Sequence, residues 1–240
     1  MIRKIIINSC PYLNHTYNST SNTNNYKDVF TFSESRIPLS AGWNMIGLTL
    51  HDTDDSTGRN ISVVQNWNLF GYSSATPINV SNINFTNSSG WTANWSTAVS
   101  QGKVLAYFMY RDNNVYRYAA TPDFGMQDYA LRQNRSYWIK VNEVCNSSQP
   151  CNLSMPGVGG SLAGRTYKWR DLRFTNGTLD LNITKADDAT NGWIEQYVWY
   201  WDTTDGVFYA APTDTTTLYI WNRGYFIWVK QSNVQLIRRN

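Results

Sequence analysis

The sequence predicts an all-β protein built from two tandem related units, each β-sandwich-like or a small barrel of about 85–90 residues with one short helical turn. Composition is the first observation behind this. Charged residues make up only 15% of the 240, well under the roughly one quarter usual for a soluble domain. Polarity comes instead from Asn, Ser and Thr, which favour turns, beside 15% aromatics, which favour strands. The second observation is self-similarity. FTN at 85–87 returns at 174–176, KVLAYFMYRD (103–112) answers WIEQYVWYWD (193–202), YRYAATPD (116–123) answers VFYAAPTD (207–214), and NRSYWIKV (134–141) answers NRGYFIWV (222–229). Four matches in order, drifting by a residue or two, mark a duplication with loop-length changes. Third, the apolar runs are short, alternate with period two and are bounded by turn residues.

Taken in order, residues 1–35 read as an extended polar arm or linker, 36–152 as the first β-domain and 153–240 as the second, an internal repeat of the first. AGWNMIGLTL (41–50) reads as a buried strand echoed by NWNLFGYSS (66–74), with the polar loop HDTDDSTGRN between them. Each FTN triplet ends a short strand, its Phe anchored in the core and its Asn facing outward. A helical turn follows, with Ser96 capping STAVSQ and Gly102 as its stop, and Thr184 capping KADDAT with Gly192 as its stop. The next strand is apolar on both faces. Phe108 and Tyr110 oppose Tyr107 and Met109, and Val198 and Tyr200 oppose Tyr197, Trp199 and Trp201, as expected of a central strand. Asp112-Asn113-Asn114 and Asp205-Gly206 are hairpin turns. Asn134-Arg135-Ser136 and Asn222-Arg223-Gly224 lead into the last aromatic strands.

The acceptor triplet Asn-x-Ser/Thr occurs at Asn14, Asn18, Asn60, Asn79, Asn84, Asn87, Asn94, Asn134, Asn146, Asn152, Asn176 and Asn182. Of 27 Asn, about five would meet the pattern by chance, so the excess points to an exported, glycosylated chain on an extracellular or cell surface. An Asn- and Thr-rich loop composition accounts for part of the count. Cys145 and Cys151 in CNSSQPC are a disulfide candidate closing a short loop, with two unpaired thiols as the alternative, and Cys10 is left over. MIRKIIINS has too short an apolar core for a secretory signal, which suggests a start upstream of Met1. No run of about 18 apolar residues predicts a transmembrane helix. The net charge of +3, without a basic run, gives no reason to expect a nucleic-acid partner.

GWNMIGL (42–48), WNLFGYSS (67–74), PGVGGSLAGRTYKWRDLRFTNGT (156–178), NGWIEQYVWYWD (191–202) and WNRGYFIWVKQSNVQLIRRN (221–240) resemble the paired Gly-Trp-Asn, aromatic-rich β-domains at the C-terminus of large secreted, chiefly archaeal, cell-surface proteins. The resemblance covers roughly residues 36–240. It implies an extracellular structural or adhesive module and supplies no catalytic residues. Ser136 stands where the other half has Gly224, which leaves the equivalence of those two turns open.

Catalytic chemistry finds little support. His15 sits in the Asn-rich arm, and His51 has no nucleophile motif beside it. Asp187/Asp188 and Asp202/Asp205 have ordinary roles at a helix start and a turn, although paired carboxylates are what a glycosidase needs. Asp52, Asp54 and Asp55 are a calcium candidate, with Gly58 one place late for an EF-hand loop and no closing Glu; a solvated acidic turn is the alternative. No other cofactor is expected. Trp138 and Trp199 are expected in the core, whereas Trp91, Trp95, Trp201 and Trp221, near loops or strand ends, are candidates for stacking on sugar rings. The function expected is a non-catalytic structural module of a glycosylated extracellular surface or filament protein. Its partners would be other copies, other surface proteins or polysaccharide. The alternative is a carbohydrate-binding or adhesive module using loop aromatics.

Overall fold

A computed structural model describes residues 35–47, 59–72, 76–122, 125–126, 128–155, 167–169, 172–212, 218–219 and 223–238. Its elements are β1 (Ser35–Leu39), β2 (Gly42–Gly47), β3 (Arg59–Val63), β4 (Asn66–Tyr72), β5 (Ile78–Asn79), a 3-10 turn (Val80–Asn82), β6 (Asn84–Thr86), β7 (Thr92–Asn94), α1 (Trp95–Ser100), β8 (Tyr107–Asp112), β9 (Val115–Ala120), β10 (Ala130–Leu131), β11 (Arg135–Val141) and β12 (Cys151–Met155). They continue with β13 (Tyr167–Lys168), β14 (Leu172–Thr175), β15 (Asp180–Asn182), α2 (Ile183–Ala186), β16 (Ile194–Asp202), β17 (Val207–Pro212), β18 (Leu218–Tyr219), β19 (Gly224–Val229) and β20 (Val234–Arg238). The protein is predominantly β, with several antiparallel sheets, and no barrel closes among the described residues.

One pairing pattern occurs twice. Strands β3-β12-β6-β7 form one sheet and β1-β20-β14-β15 another. β4 pairs β11, which neighbours β8 and then β9; β2 pairs β19, which neighbours β16 and then β17. The short pairs β5–β10 and β13–β18 complete the two sets. The boundary expected between residues 152 and 153 is therefore crossed by strand pairing. β1 runs against β20 from Ser35↔Arg238 to Leu39↔Val234, and β2 runs against β19 from Gly42↔Val229 to Gly47↔Gly224. Composition cannot reveal this, because only the ladder shows which partner a short apolar strand takes.

The Trp-Asn dipeptide that opens β2 and β4 has a local reason. Alternation sends Trp43 and Trp67 to one face of the sheet and Asn44 and Asn68 to the other. Asn44 Oδ1 accepts from the Ser40 amide at 2.9 Å, and its Nδ2 donates to the Ser40 and Gly42 carbonyls at 2.7 and 2.9 Å. Asn68 repeats this with Val64 at 2.9 and 2.8 Å and Asn66 at 2.9 Å. One amide thus satisfies three backbone groups and fixes the corner between strands. The residue two places earlier lies in the left-handed region, Gly42 at φ 98° and Asn66 at φ 82°. These are the two residue types that tolerate it best.

Each set buries its own core on that second face. Ile61, Phe70, Phe85, Trp95, Phe108, Tyr137 and Leu153 belong to one, and Ile37, Trp169, Phe174, Ile194, Tyr225 and Leu236 to the other. Phe85 and Phe174 of the two FTN triplets are fully buried, while Asn87 is half-buried and Asn176 exposed. The helical turns form, but their caps lie two residues earlier than expected. Asn94 and Asn182, not Ser96 and Thr184, accept from the Thr97 and Lys185 amides at 2.9 and 3.1 Å. Asn reaches the third amide of the turn from a β backbone as well as Ser or Thr does. Gly102 follows α1 at φ 68°, as expected of a stop; α2 ends earlier, at Ala186 with Asp187 as its C-cap. The hairpin turn at Asn113 and Asn114 has φ of 48° and 62°, the doubly positive geometry that matches strand twist.

The two sets meet along one line. Arg135 of β11 pairs Ile46 of β2, and Phe70 of β4 bridges Arg223, joining the central strands into an eight-stranded sheet. A Cβ on Gly47 would lie 2.5 Å from the Arg135 carbonyl oxygen and 2.9 Å from the Gly71 Cα; one on Gly71 would lie 2.7 Å from the Arg223 carbonyl oxygen. Here too the Ser136/Gly224 difference is resolved. The Ser136 hydroxyl donates to the Ile46 carbonyl, and a Cβ on Gly224 would sit 2.9 Å from Ser136 Oγ and 2.5 Å from Leu69 Cγ. The junction has room for one of the two side chains.

Candidate functional site

The face opposite the two cores carries a third apolar cluster. Met45, Leu69, Trp138 and Phe226 are buried in it, packed against half-buried Trp43, Trp67, Met109, Trp199 and Trp201. Register puts these side chains on one face: Trp228 opposes Trp43, Phe226 opposes Met45 and Trp199, Trp138 opposes Leu69 and Met109, and Trp201 opposes Phe208. The rings pack mostly edge to face across the junction. Trp138 meets Trp67 at 6.2 Å, Trp201 at 5.2 Å and Phe208 at 5.9 Å between centroids, at angles of 73–88°. Such pairs add to the area they bury, because the positive ring edge meets the negative ring face.

Two reciprocal hydrogen bonds clasp the seam. Trp201 Nε1 of β16 donates to the Trp67 carbonyl of β4 at 2.9 Å, and Arg111 Nε of β8 donates to the Trp43 carbonyl of β2 at 3.0 Å. Trp201 and Arg111 hold matching positions, each just before the Asp that ends its strand. On the Trp side the indole packs against Trp138 and Phe208, and a depression of about 340 Å³ lies beyond it, lined in part by Trp67, Trp201 and residues 203–206. On the Arg side a cleft of about 400 Å³ opens, lined by Trp43, Arg111, Tyr116, Trp199, Phe208 and Phe226. That volume lies within the roughly 300–1,000 Å³ of small-molecule sites. Phe226, 8% exposed, is its buried part, while Tyr116 and Phe208 stand 42% and 45% exposed. The Arg111 guanidinium lies 5.1 Å from the Tyr116 ring centroid. Its only hydrogen bond among the described residues comes from Nε, so both Nη groups are available. No acidic residue lines the cleft.

A second depression, of about 340 Å³, lies beside β1, β2 and the turn before β11. Arg111 lines it too; its other charged residues, Asp112, Arg132 and Arg135, belong to a paired cluster. Asp128 accepts from the Tyr110 hydroxyl at 2.8 Å and pairs with Arg132 at 3.3 Å and Arg135 at 3.8 Å; Asp112 pairs with Arg135 at 3.6 Å and Arg117 at 3.7 Å. Burial, then the Asp128 hydrogen bond, hold the Tyr110 hydroxyl above its ordinary pKa, so it stays a neutral donor.

Of the rings proposed for sugar stacking, Trp95 is 0% exposed and stacked on Phe108 at 4.6 Å, which removes it as a surface ring. It opens a helix whose inward side faces the core, so nearness to a loop misjudged it. Trp91 is half-buried against the first core, and Trp201 lies in the seam. Trp221 lies outside the described residues, as do Asp52, Asp54, Asp55, His15, His51 and Cys10. Among the described residues no cluster of His, Cys, Asp and Glu could hold a metal ion. Trp138 is buried as expected, whereas Trp199 lines the cleft. Arg111, Tyr116, Phe208 and Phe226 were not singled out from the sequence. Aligning the two halves sets Arg111 against Trp201, and that mismatch was the available signal.

Asn60, Asn79, Asn94, Asn146 and Asn176 are exposed, and Asn84, Asn87, Asn134, Asn152 and Asn182 are half-buried; Asn14 and Asn18 lie outside the described residues. Several have structural duties. Asn146 Oδ1 accepts from the Ser148 and Gln149 amides, and Asn176 Oδ1 from the Thr178 and Leu179 amides. Asn87 Oδ1 accepts from Ser89 and Trp91, and its Nδ2 donates to Glu143 at 3.0 Å. Turns and caps thus account for part of the excess of triplets. Cys145 and Cys151 are buried free thiols in this structure. Burial, then a hydrogen bond with Cys145, push the Cys151 thiol up to about 12, so it is a poor nucleophile.

Among the described residues no helix is long and apolar enough to cross a membrane. Comparison with protein-family models, curated proteins and solved structures finds no match to this chain.

Proposed function

We propose that the chain is a non-catalytic structural module of a glycosylated extracellular surface or filament protein, with other copies or other surface proteins as its partners. In this reading it consists of two related sandwich-like units, and the second is discontinuous: residues 35–47 with 167–238, and 59–155 inserted between. The seam carries the reading. Trp67, Trp138 and Trp201 are committed to joining one strand set to the other, which suits a rigid spacer. Among the exposed acceptors, Asn60, Asn79, Asn146 and Asn176 are the expected glycan positions; at Asn146 and Asn176 the Nδ2 atom can be modified without losing the Oδ1 bonds of the turn. Peptide mapping by mass spectrometry of the protein from its native cells tests this. Glycans on two or more of these four support it; an unmodified protein recovered from the cytoplasm overturns it.

A second reading, a carbohydrate-binding or adhesive module, is favoured by one observation, the open aromatic cleft beside Arg111. It relocates the sugar-stacking role from loop tryptophans to Trp43, Trp199 and Phe208.

A further inference from the structure

We propose that the cleft takes a carboxylated sugar, a uronic acid residue of an acidic polysaccharide; the inference rests on the carbohydrate-binding reading above. Three features converge on that chemistry. First, the walls are rings with uncovered surface. Trp199 faces Ala210 across its ladder, where the other set has Tyr118 opposite Met109, so only a methyl group covers it from that side. Exposed rings suit the apolar C–H face of a pyranose. Second, Arg111 brings a cation whose two Nη groups have no partner among the described residues, while Nε is fixed to the Trp43 carbonyl at 3.0 Å. A held guanidinium with a free fork matches a carboxylate with two parallel hydrogen bonds. Third, nothing in the cleft neutralises that charge. Asp112, the next residue, points to the other face and is paired with Arg135 and Arg117. A neutral glycan would leave the guanidinium half-desolvated and unpaired, and an alkyl chain would find an open groove instead of a closed, dry cavity.

The test is a titration of the full chain with trigalacturonate and, in parallel, with its neutral galactose counterpart, followed by tryptophan fluorescence and calorimetry at low salt. The acidic trisaccharide is expected to bind at least tenfold more tightly, with the difference shrinking as salt is raised. Arg111→Gln should abolish the preference. Arg111→Lys, which keeps the charge and loses the fork, should retain part of it. Should Arg111→Gln not fold, the salt series on the unaltered chain and Arg111→Lys decide the matter. Phe208→Ala, at the rim, should weaken both sugars. Equal affinity for the two trisaccharides would overturn the acidic preference and leave the sugar-binding reading standing. Binding to neither would overturn both, and binding only to an acidic, aromatic peptide would make the ligand a protein.

Discussion

The two sides of the seam are built on the same plan and finished differently. On one side the last residue but one of β16 is Trp201, whose indole packs beside Trp138 and Phe208 and whose N–H closes on the Trp67 carbonyl. On the other, the last residue but one of β8 is Arg111, which makes the matching bond to Trp43 with a slender side chain and leaves a cleft lined by rings. The difference teaches that holding two sheets together and presenting a surface are separable tasks. The backbone clasp is kept on both sides, while bulk is kept on one.

Replacing the two clasps should separate these tasks. Trp201→Ala is expected to destabilise the protein by about 3 kcal/mol, through lost packing and a lost hydrogen bond, and Arg111→Ala by about 1 kcal/mol. Equal losses in urea unfolding would mean that the Arg side bears as much of the seam as the Trp side. At the junction, Gly47→Ala or Gly71→Ala should cost about 2 kcal/mol, because the new methyl meets backbone that neither set can withdraw. A shift from one unfolding transition to two in either variant would show that the sets had come apart. Smaller still is the contrast between the two corner amides. Asn68 is 2% exposed and Asn44 half-buried, so Asn68→Ala should lower the thermal midpoint more than Asn44→Ala, each by about 1–2 kcal/mol equivalent.

The smallest effect is one of pH. The Lys103 hydrogen bond, reinforced by Asn87, holds the Glu143 carboxyl below its ordinary pKa. A depressed carboxylate contributes stability that is present above its unfolded pKa and lost as pH falls through the folded value. Glu143→Gln should therefore lose that contribution near neutrality, converge with the unaltered protein in acid, and show a flatter stability profile below about pH 4.5, the ordinary value for this carboxyl. The aligned position to Lys103 is Trp193, so this acid sensitivity belongs to the set formed by residues 59–155.

Much of the local structure was legible. The hairpin turns, the buried Phe of each FTN triplet and the two-faced central strands follow from alternation and turn chemistry, which act over a few residues. Two things were not. Strand pairing is non-local, so nothing within 35–47 announces that its partners lie near residue 230. Side-chain exposure was misjudged for Trp95 for a related reason, since a ring near a loop in sequence still faces the core when the turn that carries it packs inward. The cleft depends on both kinds of information, as it lies where side chains of distant strands fail to fill the space between them.

The pairing of β1 with β20 has a mechanical consequence. Ser35 and Arg238 lie side by side at one end of that ladder. Tension transmitted through these two points would act across the rungs and open them one after another, as a zipper does, at low force. The set formed by residues 59–155 lies within the chain between β2 and β13, so the load reaches it only after the outer strands have yielded. Nested in this way, it is expected to extend last, whereas the tryptophan seam, which includes Trp43 of β2 and Phe226 of β19, opens with the outer strands.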